Sequence, residues 1–254
     1  MKRQLAGSLK RLTRMAGYDL VKATSSGYPP DFDASIIETV SLVKPYTMTS
    51  PERVSALCDA VRYLSSNDIA GDVVECGVWK GGSMMAVAHT LRSLGDTSRE
   101  LYLFDTYEGM PEPSKIDVSL DGDTGSALTR NLKEDGSGSD YCMAPLDEVR
   151  KAVESVGYPA ERLHFVKGRV EDTLPAQAPL QIALLRLDTD WYESTRHELI
   201  HLYPRLVPGG VLIIDDYGHW QGARQAVDEY IQSNNLRLLL NRVDYTGRIG
   251  VKCG

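Results

Sequence analysis

Two apolar runs, Ile182–Leu187 and Val211–Ile214, each end in paired carboxylates: Asp188 and Asp190 in "LLRLDTDWYEST", Asp215 and Asp216 in "GGVLIIDDYGHW". If both runs are strands of one open sheet, these acids gather at its carboxyl edge, where α/β sheets form their ligand crevice. Hard oxygen donors at such a place suit Mg²⁺ or a similar divalent ion. Each pair also has a plainer use. Asp215 and Asp216 can cap the following helix, and Asp188 and Asp190 can make strand-end hydrogen bonds. Both pairs together point to a functional site.

A second chemical signal lies in "DVVECGVWKGGSMMAVAHTL", which reads as strand, glycine turn, helix. Gly77, Gly81 and Gly82 let the backbone turn sharply and approach a ligand, and a helix starting near Ser83 offers free N–H groups. The spacing is neither G-x-G-x-x-G nor a Walker loop. Glu75, at the end of the strand, would repel a diphosphate but not a cation. The next strand ends in "LYLFDTYEGMP", which places Asp105 where an acid accepts hydrogen bonds from ribose hydroxyls. A nucleoside with a positive centre and no phosphate meets both demands, as S-adenosylmethionine does. The spacing and Glu75 argue against a nicotinamide dehydrogenase.

The elements that would position these residues alternate. Apolar segments at Asp72–Cys76, Glu100–Asp105, Leu163–Lys167, Ile182–Asp188, Gly210–Asp215, Leu236–Val243 and Ile249–Cys253 are separated by helical patterns, the mark of a parallel α/β sheet. The last two flank "DYTGR" and are expected to pair as an antiparallel hairpin. A helix is expected from "TSPERVSALCDAVRYL", with Ser50 as N-cap, Pro51 as first residue, and Val54, Leu57, Cys58, Val61 and Leu64 as its buried stripe. Residues 106–145 are acidic, glycine-rich and serine-rich without an apolar period, and read as a substrate lid or as plain disorder. Near the N-terminus, Leu5, Leu9, Leu12, Ala16 and Leu20 recur at helical spacing among Lys2, Arg3, Lys10, Arg11 and Arg14. This amphipathic helix would pack on the body of the protein or on a second subunit of a homo-oligomer, and peripheral contact with an anionic membrane is the other use of such a helix. The organisation expected is a helical extension over residues 1–66 and a catalytic domain over 67–254.

The chain has 254 residues, 42% of them hydrophobic, enough for a sizeable core. A net charge of −7 argues against nucleic acid as partner. Cys58, Cys76, Cys142 and Cys253 form no CxxC pair, which suits a reduced, cytoplasmic protein, and no run is long enough to cross a bilayer.

The motifs "ECGVWKGGSMM", "FDTYEGMP", "VKGRVEDTLP", "LLRLDTDWYEST" and "GGVLIIDDYGHW" resemble those of the TylF/MycF (macrocin) O-methyltransferase family, with NovP-like enzymes among its members. The similarity runs from about Pro45 to the C-terminus. It implies a Rossmann-like class I methyltransferase fold, a mostly parallel seven-stranded sheet flanked by helices, and S-adenosylmethionine and Mg²⁺ as cofactors. The acceptor implied is a sugar hydroxyl on a glycosylated small molecule, glycolipid or polysaccharide. It further implies Asp188, Asp215 and Asp216 as metal ligands and Asp190 as general base. Glu75, Gly77 and Asp105 match cofactor motifs, and Gly168 to Asp172 matches the segment beside the adenine, where Glu171 or Asp172 would bond the adenine amino group. The chain departs from the family there, because Arg169 and Val170 replace aromatic residues. His219 and Trp220 would line the sugar pocket as second base and aromatic platform, or serve as a structural loop pair. Tyr46 and Thr49 would close over the cofactor's amino-acid end, or simply begin a helix. A catechol-type or phenolic methyltransferase, and a non-catalytic cofactor-binding partner protein, are the alternatives.

Overall fold

The computed structural model describes residues 10–11, 13–15, 27–129 and 141–254. The chain divides into two units, Met1–Ile37 and Glu38–Gly254. In the first, residues 10–11 and 13–15 are helical, whereas Leu5, Leu9, Leu12, Ala16 and Leu20 of the expected amphipathic stripe lie outside the described residues. Among the described residues no helix is long and apolar enough to cross a membrane.

The second unit is built on seven strands: β1 (Asp72–Cys76), β2 (Leu101–Asp105), β3 (Leu163–Lys167), β4 (Ile182–Leu187), β5 (Leu206–Ile214), β6 (Asn241–Arg242) and β7 (Arg248–Val251). Their order is β3-β2-β1-β4-β5-β7-β6. The first five are parallel, and β7 runs antiparallel to both β5 and β6, closing the expected hairpin. The order reverses between β1 and β4, so the crevice of an open α/β sheet falls at the carboxyl ends of these strands. All six residues of β4 are buried, as expected of a central strand covered on both faces.

The helices used below are α1 (Ala34–Val43), α2 (Pro51–Ser66), α3 (Gly82–Ser93), α4 (Leu146–Glu154), α5 (Tyr192–Leu202) and α6 (Gln221–Ser233). Ser50 caps α2 by accepting the Arg53 N–H at 3.2 Å, Pro51 is its first residue, and the expected stripe is buried. That stripe seats α2 on α3, β4 and β5. The chain therefore parts between residues 37 and 38, and α2 goes with the sheet.

Two strands differ from expectation. β5 begins at Leu206, not Gly210, because its register with β4 shifts: Leu206 pairs with Ile182, but Val211 pairs with Leu184. The intervening residues, including Pro208 and Gly209, look like a break in sequence and act as a bulge. Between Leu236 and Val243 only Asn241 and Arg242 form ladder pairs. Leu236, Leu238 and Leu240 still pack against the core while Leu239 is exposed, so their alternation reflects one-sided burial without a neighbouring strand.

The described part of the 106–145 stretch rests on the carboxyl edge of the sheet. Ser119 and Trp220 form a bridge, the Leu120 N–H donates to the His219 carbonyl at 2.7 Å, and the Gln221 N–H donates to the Val118 carbonyl at 2.9 Å.

Candidate active site

A cleft of about 280 Å³ opens at the carboxyl ends of β1, β2, β4 and β5. One part of its lining is the glycine turn. Gly77 has φ +83°, and a Cβ there would run into the Asp188 carbonyl, so the turn after β1 packs directly on the loop after β4. Asp105 holds this turn: Oδ2 accepts the N–H groups of Val78 at 2.7 Å and Trp79 at 3.0 Å, and Oδ1 accepts Tyr107 N–H at 2.7 Å. Burial raises the Asp105 pKa, and these three bonds oppose the rise. Trp79 is held at φ +47°, unusual for a bulky side chain.

Gly77, Ser83, Asp105, Gly168, Glu171, Tyr46 and Thr49 all line the cleft. Tyr46 and Thr49 belong to the strap before α2, whose backbone lies so close to Gly82 that a Cβ there would strike the Tyr46 carbonyl. Three other expected cofactor residues do not line it. Gly81, the N-cap of α3 at φ +87°, faces Val149 and Val153 of α4. Asp172 is exposed on the single helical turn Val170–Thr173. Glu75 is 1% exposed and lies beneath the floor, bonded to Arg186 at 2.7 Å, with its Oε2 unpartnered.

The four acids after β4 and β5 converge as their strand positions require. Asp188, Asp215 and Asp216 place ligand atoms within 4.8 Å of one another. Asp190, at φ +65°, donates its backbone N–H to Asp216 Oδ2 at 3.3 Å. Asp216 and Trp220 stand beside its carboxylate and partly offset the rise in pKa that burial causes. All four acids line the cleft with His219 and Trp220. Trp220 is 4% exposed and stands edge-on to Trp191 at 4.9 Å. His219 sets its ring edge-on to Trp220 at 5.0 Å, and its Nδ1 is buried without a hydrogen-bond partner.

Arg186 is the residue that sequence reading passed over. It faces Glu75 across the β1–β4 register, is 3% exposed, and gives Nη1 to Glu75 and to Asp188 Oδ2, both at 2.7 Å. Its Nη2 reaches Asp215 Oδ1 at 2.6 Å and Thr49 Oγ1 at 3.2 Å. Arg53 bonds the other oxygen of Asp215 through Nη1 and forms an ion pair with Asp244, whose Oδ2 lies 3.0 Å from its Nε. The available signal was a lone charge inside an otherwise apolar strand. Although burial disfavours its charge, Asp188, Asp215 and Glu75 hold Arg186 firmly protonated. Two guanidiniums do not neutralise five carboxyls. Burial accordingly pushes Glu75 and Asp190 each up to about 7, and Asp188 and Asp216 well above the usual carboxylate range.

This donor set fits a divalent cation. It is made of hard oxygens, its carboxyls outnumber the guanidiniums beside them, and Arg186 engages only one oxygen of Asp188. Asp215 has both oxygens bonded by arginines, so it is the most constrained of the three.

The same fold and motifs occur in known proteins. A family model described as macrocin O-methyltransferase (TylF) matches residues 41–249. The 8-demethyl-8-(2,3-dimethoxy-alpha-L-rhamnosyl)-tetracenomycin-C 4'-O-methyltransferase of Streptomyces olivaceus is 34% identical over 86% of this chain and 80% of its own length. The mycinamicin III 3''-O-methyltransferase of Micromonospora griseorubida is 30% identical over 80% and 76%. The solved structure of the O-methyltransferase NovP superposes with a TM-score of 0.70 at 30% identity, over 82% of this chain and 83% of that one. A match over most of the chain, on this sheet order, makes the protein a class I S-adenosylmethionine-dependent O-methyltransferase that belongs to the TylF macrocin O-methyltransferase family.

Proposed function

We propose that the protein methylates a hydroxyl of a sugar carried by a natural product, at a divalent ion held by Asp188, Asp215 and Asp216, with Asp190 as the base. The observation that carries this reading is the convergence of these four acids in the cleft that the glycine turn also lines. The S. olivaceus relative is named for a rhamnosyl-bearing acceptor, which supports a sugar as the methylated group. Met48, Tyr141 and Tyr245, exposed by 62%, 40% and 53%, line the same cleft and suit an acceptor with an apolar body.

The backbone of residues 77–79, the Ser83 end of α3 and Asp105 bind the nucleoside and aim its methyl group. An alcohol is a poor nucleophile at neutral pH until its proton is shared or removed. When bound, a divalent ion would supply the positive charge that orients neighbouring sugar hydroxyls and lowers the pKa of the one attacked. Asp190 takes that proton, Trp220 holds the Asp190 carboxylate in place, and Arg186 keeps Asp188 and Asp215 together. His219, in the same cleft, is the next candidate for base.

The test is turnover with S-adenosylmethionine on a demethylated glycoside, a free sugar and a catechol, followed by mass spectrometry with and without Mg²⁺. Methyl gain on the glycoside, dependent on the ion, is expected. Preference for the catechol, or full turnover after rigorous chelation, would overturn the reading.

A further inference from the structure

Asp117 lies in the serine-rich and glycine-rich stretch where the sequence carries no periodic signal, yet it is 1% exposed. Its Oδ1 accepts the backbone N–H of Tyr192 at 2.8 Å, and its Oδ2 accepts the N–H and Oγ–H of Ser114, both at 2.6 Å. Tyr192 is the first residue of α5, so this carboxylate satisfies an N–H that the helix leaves open and meets the positive end of its dipole. From the other side comes α6. A Cβ built on its second residue, Gly222, would overlap Asp117 Oδ1, so the glycine is what admits the carboxylate.

These contacts connect two loops that matter. Asp188 and Asp190 lie between β4 and α5, and Asp215, Asp216 and Trp220 lie between β5 and α6. One buried carboxylate therefore sits where both loops enter their helices. The surrounding segment adds further ties: Trp191 Nε1 donates to the Pro111 carbonyl at 3.1 Å, and Ser119 bridges Trp220. Asp190 needs such fixing. A non-glycine residue at φ +65° is disfavoured and persists only where its surroundings over-determine it. Its neighbours in this respect are Trp191, one residue on, and Trp220, which stands beside its carboxylate.

We propose that Asp117 is a positioning residue for methyl transfer: through Tyr192 and Gly222 it fixes the loops that carry Asp190 and Trp220, so that the Asp190 carboxylate is aimed at the acceptor hydroxyl. The inference rests on the assignment of Asp190 as base made above. It makes the segment around Asp117 part of the frame of the reaction, beyond any role as a cover.

The experiment compares Asp117→Ala, Asp117→Asn and Gly222→Ala in the full chain, with Asp190→Asn as reference. Each variant is characterised by melting temperature, S-adenosylhomocysteine calorimetry, steady-state kinetics and amide hydrogen exchange. Asp117→Ala should bind S-adenosylhomocysteine with wild-type affinity while kcat falls on the order of 10²-fold, the cost of a misplaced catalytic group. Acceptor KM should change much less. Asp117→Asn keeps an oxygen for the Tyr192 N–H and should recover most of the rate, whereas Gly222→Ala should resemble Asp117→Ala. Exchange should quicken at residues 192–194 and 221–222 but not at 77–83. A folded Asp117→Ala with wild-type kcat, or a rate loss matched by lost cofactor affinity and unrelieved in Asp117→Asn, would overturn the inference. Wild-type turnover by Asp190→Asn would sink the base assignment and, with it, the aiming role of Asp117. Wild-type turnover by Asp117→Ala, with Asp190→Asn inactive, would sink the role of Asp117 alone.

Discussion

The glycine turn and the acid cluster line one cleft, yet they are held together by different physics. The turn is a main-chain object: Val78 and Trp79 give their N–H groups to Asp105, and Gly77 gives its own to the Phe104 carbonyl at 2.9 Å. Each bond has a main-chain N–H as donor and an acceptor at the end of β2, the Asp105 carboxylate or the Phe104 carbonyl. The acid cluster is a side-chain object under electrostatic load, with Glu75, Asp188 and Asp215 crowded round one buried Arg186 and with Asp190 in a strained backbone conformation. Binding a nucleoside requires shape and a few acceptors. Deprotonating an alcohol requires charge concentrated where water is scarce, and that concentration must be restrained.

The contrast can be broken most severely by removing divalent ions, which should abolish turnover and leave S-adenosylhomocysteine affinity nearly unchanged, as calorimetry would show. A sharper version uses protons. Because burial raises the carboxyls in the metal-free chain, to about 7 for Asp190, they hold protons that an incoming cation displaces. Mg²⁺ binding should therefore release protons, and its affinity should rise with pH through neutrality. Titration in two buffers of different ionisation enthalpy measures this.

Asp190→Asn should lower kcat by about 10²–10⁴-fold while Mg²⁺ and cofactor still bind, the range typical of general base catalysis. Single-turnover rates beside the metal affinity separate a lost base from a lost ion. Arg186→Met removes the shared counter-ion of three buried carboxyls and should destabilise the fold by about 3–5 kcal/mol in urea unfolding.

On the glycine-turn side the effects should be smaller. Asp105→Asn keeps the shape but loses the charge that three N–H groups share, a change of about 1.5–3 kcal/mol, or some 10- to 100-fold in S-adenosylhomocysteine affinity. Unaltered affinity would mean that the turn holds itself. Ser50→Ala removes the cap of α2 and should cost only about 1 kcal/mol, read as a small drop in melting temperature.

Much of the sheet and the glycine turn was legible because their signals are local: an apolar run, a glycine, an acid at a strand end. Arg186 was not. Its importance arises when β1 and β4 align and set it opposite Glu75, and register is a non-local property that one letter inside an apolar run does not disclose. Asp117 was hidden for a related reason, since the α5 and α6 ends that bury it lie far along the chain. Trp220 was legible as an aromatic residue at the site, but its edge-on packing against Trp191 was not. At residues 236–243 the alternation was read correctly and the ladder was not, because burial on one face needs no partner strand.

The packing of Gly77 against the Asp188 carbonyl has one more consequence. At that point the glycine turn and the loop that carries the acids meet as two bare backbones in contact, with no side chain between them. Residues around the mouth, Met48, Tyr141 and Tyr245 among them, can be exchanged over evolution to admit differently shaped molecules. Such exchanges leave this main-chain contact untouched, so on the reading proposed above the acceptor side can be reshaped without moving the glycine turn.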